Sequence, residues 1–298
     1  MGALLTVSAR GPETPSESKD RDLAPDSTGA LPTDSLKISR AAIELECTRL
    51  SYSYPAIKGS PAKPVFHGID VRVYKNELVA IVGPTGAGKS TLLRCLGGFI
   101  HPSDGHVYLH GEEVLRPSSK IVLIHQSIAT FPWMTALDNV KLALTCKKVD
   151  EKEAERTAGA MLDLVGLGAN KASYPKELSG GMRQKVAVAR ALAASPSILL
   201  MDEPFVHLDE IAAEELRREI HSLVFNPEST LDAVVLVSHN LTEIVELADR
   251  VYVMNGSPAT VIDEFRIDLP RPRALRDSSF LLDVDHLMGD LNTPKVNP

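Results

Sequence analysis

Residues 83–91 form a glycine-rich loop that ends in a lysine and two hydroxyl residues: Gly83-Pro84-Thr85-Gly86-Ala87-Gly88-Lys89-Ser90-Thr91. The apolar residues 78–82 before the loop are typical of a short buried strand, and the residues after it have a helical pattern through Leu96. Glycines let successive backbone N–H groups curl around phosphate oxygens, and a helix that begins at the loop adds the positive end of its dipole. The sequence therefore predicts a phosphate-binding loop between a strand and a helix.

Two side chains of this loop indicate which phosphates it holds. Lys89 would reach the β- and γ-phosphates of a nucleoside triphosphate, and the hydroxyl of Ser90 would bind Mg²⁺. The other members of the loop are expected to line the same nucleotide site. They are Gly83, Pro84, Thr85, Gly86, Ala87, Gly88 and Thr91.

Strands and helices alternate along the chain after this loop. Residues 120–124, 198–201 and 233–238 are apolar runs of strand length, and helical patterns follow the last two. Such alternation predicts a mainly parallel, buried sheet. The expected fold is α/β: a P-loop NTPase core, an N-terminal antiparallel β subdomain from residues 43–74, and an inserted helical subdomain at about residues 130–195.

Composition suggests where this domain begins and ends. Residues 1–40 are rich in Gly, Pro, Ser and Thr and poor in apolar residues, so we expect them to form a disordered arm. Residues 41–270 are expected to form the nucleotide-binding domain, and residues 271–298 a loose C-terminal tail. Within the domain, the Pro- and Gly-rich residues 55–64 should form an exposed hairpin loop.

The overall composition excludes several classes of protein. The chain has 298 residues, of which 44% are hydrophobic and 24% are charged, and its net charge is −7. These proportions are typical of a globular domain, and the acidic balance argues against a nucleic-acid partner. The longest apolar runs have the length of strands, which is too short to span a bilayer. The three cysteines are far apart, so they predict neither a disulfide framework nor a metal site.

A second motif, Leu178-Ser179-Gly180-Gly181-Met182, precedes a helical run. At this motif, downstream of a phosphate-binding loop, the chain resembles the nucleotide-binding subunits of ABC transporters. The resemblance implies that Ser179, Gly180 and Gly181 present a hydroxyl and backbone N–H groups at a helix N-terminus. Their target in the family is the γ-phosphate of an ATP molecule held by the other subunit.

The resemblance assigns roles to five further residues. Asp202 and Glu203, at the end of an apolar run, resemble the family's pair of carboxylates: Asp202 would hold Mg²⁺ through water, and Glu203 would act as general base. Gln126 matches the glutamine that contacts Mg²⁺ and the attacking water, and His239 matches the histidine that touches the γ-phosphate. Asp209 matches an aspartate that crosses the dimer interface.

The aromatic residue that would stack on adenine has two candidates. Tyr54 aligns best with the family's aromatic position, but Tyr52 remains open because the insertion at residues 55–64 blurs the spacing.

Two segments resemble the nitrate, sulfonate and taurine import ATPases within this family. These are residues 131–140, which contain the only tryptophan, Trp133, and residues 269–273, Leu-Pro-Arg-Pro-Arg. In the family the first segment belongs to the surface that receives the membrane subunit, so Trp133 is a candidate interface anchor. Thr135 and Asp138 would cap the helix that follows.

The resemblance implies an ATP-hydrolysing subunit at the cytoplasmic face of a membrane, with ATP and Mg²⁺ bound. Its partners would be transmembrane permease subunits, a second ATP-binding subunit and a substrate-binding protein, and its cargo small oxyanions or organic sulfonates. The alternative is a non-transport ABC ATPase that acts as a regulatory or mechanical membrane adaptor.

Overall fold

The computed structural model describes residues 42–56, 61–127, 129–147, 149–226, 229–273 and 277–292. The expected N-terminal arm, residues 1–40, lies outside the described residues. Across the described ranges, none of the helices combines the length and apolar character needed to cross a bilayer.

A ten-stranded sheet and seven α-helices make up the described chain. The strands are β1 (Ile43–Tyr54), β2 (Lys63–Tyr74), β3 (Glu77–Val82), β4 (Asp104–Leu109), β5 (Glu112–Glu113), β6 (Ile121–Ile124), β7 (Ile198–Asp202), β8 (Ala233–Val237), β9 (Arg250–Gly256) and β10 (Ala259–Arg266). The helices are α1 (Lys89–Leu96), α2 (Ala136–Lys141), α3 (Glu151–Leu164), α4 (Gly180–Ala193), α5 (Glu210–Phe225), α6 (Leu241–Leu247) and α7 (Ser278–Asn292). Short 3₁₀ helices cover Leu142–Lys147, Gly168–Asn170 and Pro175–Glu177.

The sheet combines a parallel half with a mainly antiparallel half. Its strand order is β5-β4-β1-β2-β10-β9-β3-β8-β7-β6. Strands β6, β7, β8, β3 and β9 run parallel to one another, and β10 is parallel to β2, whereas β10 pairs antiparallel with β9 and the pairs among β1, β2, β4 and β5 are antiparallel. The predicted α/β fold is therefore confirmed, and the β1–β2 hairpin closes with Tyr54 opposite Lys63.

The parallel strands are buried on both faces, which explains their uninterrupted apolar sequences. All five residues of β7 and of β8 are buried. Helices α2, α3 and α4 pack in an apolar cluster that continues onto one face of β7 and β8, and Val140, Leu162 and Val188 are among its members. Because parallel strands end at one edge of a sheet, the loops after β3, β6, β7 and β8 meet at that edge.

In its described residues, the C-terminal segment is not the loose tail that its sequence predicts. Residues Ser278–Asn292 form α7, which buries Phe280 and Leu287 against α6, β9 and the centre of the sheet. Phe280 and Leu287 are seven residues apart and therefore lie on the same face of the helix, which is the apolar face of an amphipathic helix. It was missed because aspartates interrupt the apolar residues on the other faces.

Arginines of the segment 269–273 hold the chain just before α7. Arg273 is buried and donates to the carbonyl oxygens of Val245 at 2.8 Å and Ile267 at 3.1 Å. Arg271 forms an ion pair with Asp249. Burial lowers the pKa of Arg273 to about 10, so it stays charged at neutral pH beside the C-terminal carbonyls of α6.

Replacing Phe280 with alanine should lower the free energy of unfolding by roughly 3–5 kcal/mol, because the side chain is fully buried and would leave a cavity. The matched control is Leu281→Ala: Leu281 is exposed on the same helix and should cost less than about 1 kcal/mol. Chemical denaturation of both variants provides the comparison. Equal, small losses would mean that α7 contributes nothing to the core.

Candidate nucleotide-binding site

A cleft of about 750 Å³ lies at the sheet edge where the parallel strands end. Most of the predicted site residues line it: Tyr54, Gly83, Thr85, Gly86, Gly88, Lys89, Ser90, Thr91, Gln126, Asp202, Glu203 and His239. The other two loop residues support the loop from within, since buried Ala87 donates its N–H to the carbonyl of Pro84 at 3.1 Å. The motifs thus converge although they are far apart in sequence.

The conformation of the 83–91 loop requires glycine at two points. Gly86 and Gly88 both have φ of 87°, in the left-handed region that other residues rarely adopt. At Gly88 a Cβ atom would also lie 2.4 Å from Cγ1 of Val65. The loop consequently wraps closely under the β2 strand and keeps its backbone exposed to the cleft.

Lys89 folds back over its own loop. Its Nζ donates to the carbonyl oxygens of Gly83 at 2.7 Å and Pro84 at 3.1 Å. Burial lowers the pKa of Lys89, while Glu203 and Asp202 act in the opposite direction. A partly desolvated ammonium at the N-terminus of α1 is well suited to bind phosphate charge.

Ser90 and Asp202 form the part of the cleft that suits Mg²⁺. The Ser90 hydroxyl donates to Oδ1 of Asp202 at 3.0 Å, and Gln126 lines the same cleft. A hydroxyl, a carboxylate and an amide oxygen are the hard ligands that Mg²⁺ prefers, so these residues fit the ion. When bound, Mg²⁺ would neutralise charge on the β- and γ-phosphates.

Glu203 and His239 form a direct pair. Oε2 of Glu203 lies 2.6 Å from Nδ1 of His239. Glu203 has φ of 54°, a strained backbone conformation for a residue with a side chain, and its N–H donates to the carbonyl of Val237 at 2.9 Å. The turn after β7 therefore aims a carboxylate at the histidine that follows β8.

The structure separates the two tyrosine candidates for adenine. Tyr54 is exposed at the cleft, with its hydroxyl 3.4 Å from Oγ1 of Thr91. Tyr52 lies partly buried, and its ring packs 6.2 Å from that of Phe66. Tyr54 is thus the ring available to a base, and stacking on adenine stays a prediction.

Ser179, Gly180, Gly181 and Asp209 are not brought into this cleft. Ser179 is exposed and caps α4 by accepting the N–H of Met182 at 3.2 Å. Asp209 caps α5 by accepting the N–H of Ala212 at 2.9 Å. Ser179 and Asp209 therefore place polar groups at the N-termini of α4 and α5, on the surface, where a second molecule can reach them.

Comparison with known proteins decides the family. Residues 66–206 match the family described as ABC transporter. An uncharacterized ABC transporter ATP-binding protein of Methanocaldococcus jannaschii is 39% identical over 213 residues, which cover 72% of this chain and 79% of that protein. The chain belongs to the ABC transporter family.

Other ABC proteins resemble this subunit over most of its length. The bicarbonate transport ATP-binding protein CmpD of Synechocystis sp. is 36% identical over 264 residues, covering 88% of this chain and 89% of the relative. The nitrate import ATP-binding protein NrtD of the same organism is 37% identical, covering 76% and 84%. A dimeric ATP-binding cassette in a post-hydrolysis state, bound to ADP and Pi, is 27% identical, with a TM-score of 0.68, covering 76% of this chain and all of that one. This ABC subunit is an ATP-binding ATPase.

Two parts of the cleft in the ABC subunit were missed from its sequence. Lys63 and Val65, at the start of β2, and Gly256 and Ser257, in the β9–β10 turn, line it as well. Lys63 could have been found, because the hairpin places it opposite Tyr54. The β9–β10 turn carries no motif.

Trp133 of the ABC subunit lies on a rigid loop. Its side chain is 68% exposed, and its ring meets that of Phe131 edge-on at 5.5 Å. Fully buried Asn139 braces the loop: it accepts the N–H of Phe131 at 2.7 Å and donates to the carbonyls of Met134 and Thr135 at 3.1 and 2.9 Å. Thr135 caps α2 by accepting the N–H of Asp138, as predicted.

A second cavity of the ABC subunit, of about 430 Å³, lies beside this loop. It runs from β6 to α4 and is mainly apolar, with Phe131 and Arg190 in its wall. The guanidinium of Arg190 lies 5.7 Å from the centre of the Phe131 ring and donates to the carbonyl of Ala129. Gln126 lines the nucleotide cleft, and Phe131, five residues later, lines the apolar cavity.

Proposed function

We propose that this chain is the ATP-hydrolysing subunit of an importer for small inorganic oxyanions such as nitrate or bicarbonate. The observation that carries the proposal is the meeting of Lys89, the Ser90–Asp202 pair and the Glu203–His239 pair in one cleft. Positive charge for phosphates, oxygen ligands for Mg²⁺ and a general base are the parts that ATP hydrolysis needs.

The working unit would contain two ATP-binding subunits. Each nucleotide would lie between the Lys89 loop of one subunit and the Ser179 end of α4 in the other, with Asp209 at the shared interface. The exposed positions of Ser179 and Asp209, outside the cleft of their own chain, support this arrangement. The dimeric state of the similar solved cassette supports it too.

Closure of this dimer would move the membrane permease subunits, and hydrolysis would reset them. Trp133 and the apolar cavity beside Phe131 would receive the permease, because an exposed, rigidly held aromatic beside an apolar hollow is typical of an interface anchor. The subunit would then lie peripherally on the cytoplasmic face of the membrane. A substrate-binding protein would deliver the cargo.

The similarity to CmpD and NrtD supports inorganic oxyanions over organic sulfonates as cargo. We expect the complex purified with its permease and reconstituted in proteoliposomes to hydrolyse ATP several-fold faster with nitrate or bicarbonate than with taurine. The Glu203→Gln complex, assembled in the same way, is the control and should show no stimulation. Stimulation of ATP hydrolysis by taurine but not by nitrate or bicarbonate would overturn the cargo assignment. Failure of the subunit to bind a permease would overturn the transport role.

A further inference from the structure

Arg217 lies between the segment that follows Glu203 and the segment around His239. It lies on α5 with only 4% of its side chain exposed. Its Nη2 donates to Oε1 of Glu210 at 2.6 Å, directly after Asp209, and its Cζ lies 5.9 Å from the ring centre of Phe205, two residues after Glu203. One guanidinium thus holds both ends of the turn that runs from Glu203 to Asp209.

The same guanidinium reaches toward His239. Nη1 of Arg217 lies 3.8 Å from Oε1 of Glu243, on α6. The other oxygen of Glu243, Oε2, accepts the hydroxyl of Ser238 at 2.8 Å, and that hydroxyl accepts the N–H of Asn240 at 3.1 Å. Ser238 and Asn240 are the two neighbours of His239 in the chain, so Glu243 fixes the backbone on which the histidine lies.

The charges of this network are desolvated. Burial raises the pKa of the Glu243 carboxyl, and Arg217 opposes that rise; Glu246 adds a further carboxylate 3.1 Å from Nε of Arg217. Removing one partner of a buried ion pair leaves the other uncompensated. Only arginine offers a planar fork with five N–H donors, which can meet carboxylates on α5 and α6 together.

We propose that Arg217 is a positioning residue that couples the Asp209 end of the turn to His239 through Glu243 and Ser238. The proposal rests on the roles proposed above for Asp209 at the dimer interface and for His239 at the γ-phosphate. Contact of a second subunit with the turn would then shift the histidine that is paired with Glu203. Hydrolysis would then depend on dimer contact, while Lys89 and the glycines of the 83–91 loop, which would hold the phosphates, stay unchanged.

Arg217→Lys in the full-length protein tests this coupling. The variant should lose about 3- to 30-fold in kcat, the range typical of residues that couple sites, while KM for ATP stays within about twofold. Ser238→Ala should also lower kcat. Because both act on one path, the double variant should lose less than the product of the single losses. A merely structural role would lower Tm without producing this non-additivity.

Arg218→Lys is the matched control, since Arg218 is the next residue of α5, is 72% exposed and pairs only with Glu214 among the described residues. It should leave kcat unchanged. Unchanged kcat in Arg217→Lys, or losses that multiply in the double variant, would overturn the coupling. Glu203→Gln is measured in the same assay. If that variant hydrolyses ATP like the parent, the proposed function fails, and it fails independently of Arg217.

Discussion

Replacing Glu203 with glutamine should reduce ATP turnover by roughly 100-fold or more, the scale typical of losing a general base. Oε2 of Glu203 lies 2.6 Å from Nδ1 of His239, and glutamine keeps the size of the side chain but cannot take a proton. Lys89 and the glycines of its loop are untouched. ATP should therefore still bind and hold the dimer closed, which light scattering and a steady-state phosphate assay would measure.

Two further variants make this result specific. Lys89→Ala should weaken ATP binding as well as turnover, because we expect the ammonium to bind phosphate charge and not the attacking water. Glu112→Gln, on the exposed strand β5, should behave like the parent protein. Parental turnover in Glu203→Gln would contradict Glu203 as the general base, on which the proposed function rests. Loss of ATP binding in that variant would show that its strained turn shapes the phosphate loop.

The sequence predicts the parallel core and the positions of the motif residues well, because these features depend on local patterns. The apolar run of β7 ends in Asp202 and Glu203 as the pattern predicts, and Thr135 caps α2 as expected. The choice between Tyr52 and Tyr54 stays open in the sequence, since it depends on the register of the hairpin. In the structure, Tyr54 pairs with Lys63 and only Tyr54 faces the cleft.

Features that depend on distant packing were not predicted. The sequence pattern predicts a loose tail where α7 forms, because only Phe280 and Leu287 of the helix are buried and its other faces alternate between acidic and apolar residues. Arg217 has no sequence motif, and its partners Glu243 and Phe205 come from other parts of the chain. Ion pairs across elements are properties of the folded chain, and a linear pattern holds no signal for them.

Replacing Trp133 with alanine should abolish assembly with the permease while leaving the free subunit folded and active. The side chain is 68% exposed, so its loss should change the free energy of unfolding by about 0.5 kcal/mol or less. A buried tryptophan would instead cost roughly 3–5 kcal/mol. Asn139 holds the backbone of the loop, so the change should remove the anchor without moving Phe131. Thermal unfolding and basal ATPase of the free subunit, and pull-down of the permease, are the measurements.

Leu282→Ala is the matched control, because Leu282 is an apolar residue with almost the same exposure, 67%, on another element, helix α7. That variant should assemble and transport normally, which would show that the loss belongs to the Trp133 loop and not to exposed apolar area in general. A large drop in Tm of the Trp133→Ala subunit would show that Trp133 stabilises the fold of the free subunit. Normal assembly and transport would remove it from the permease interface, and Phe131 with the adjoining apolar cavity would then have to bind the permease without it.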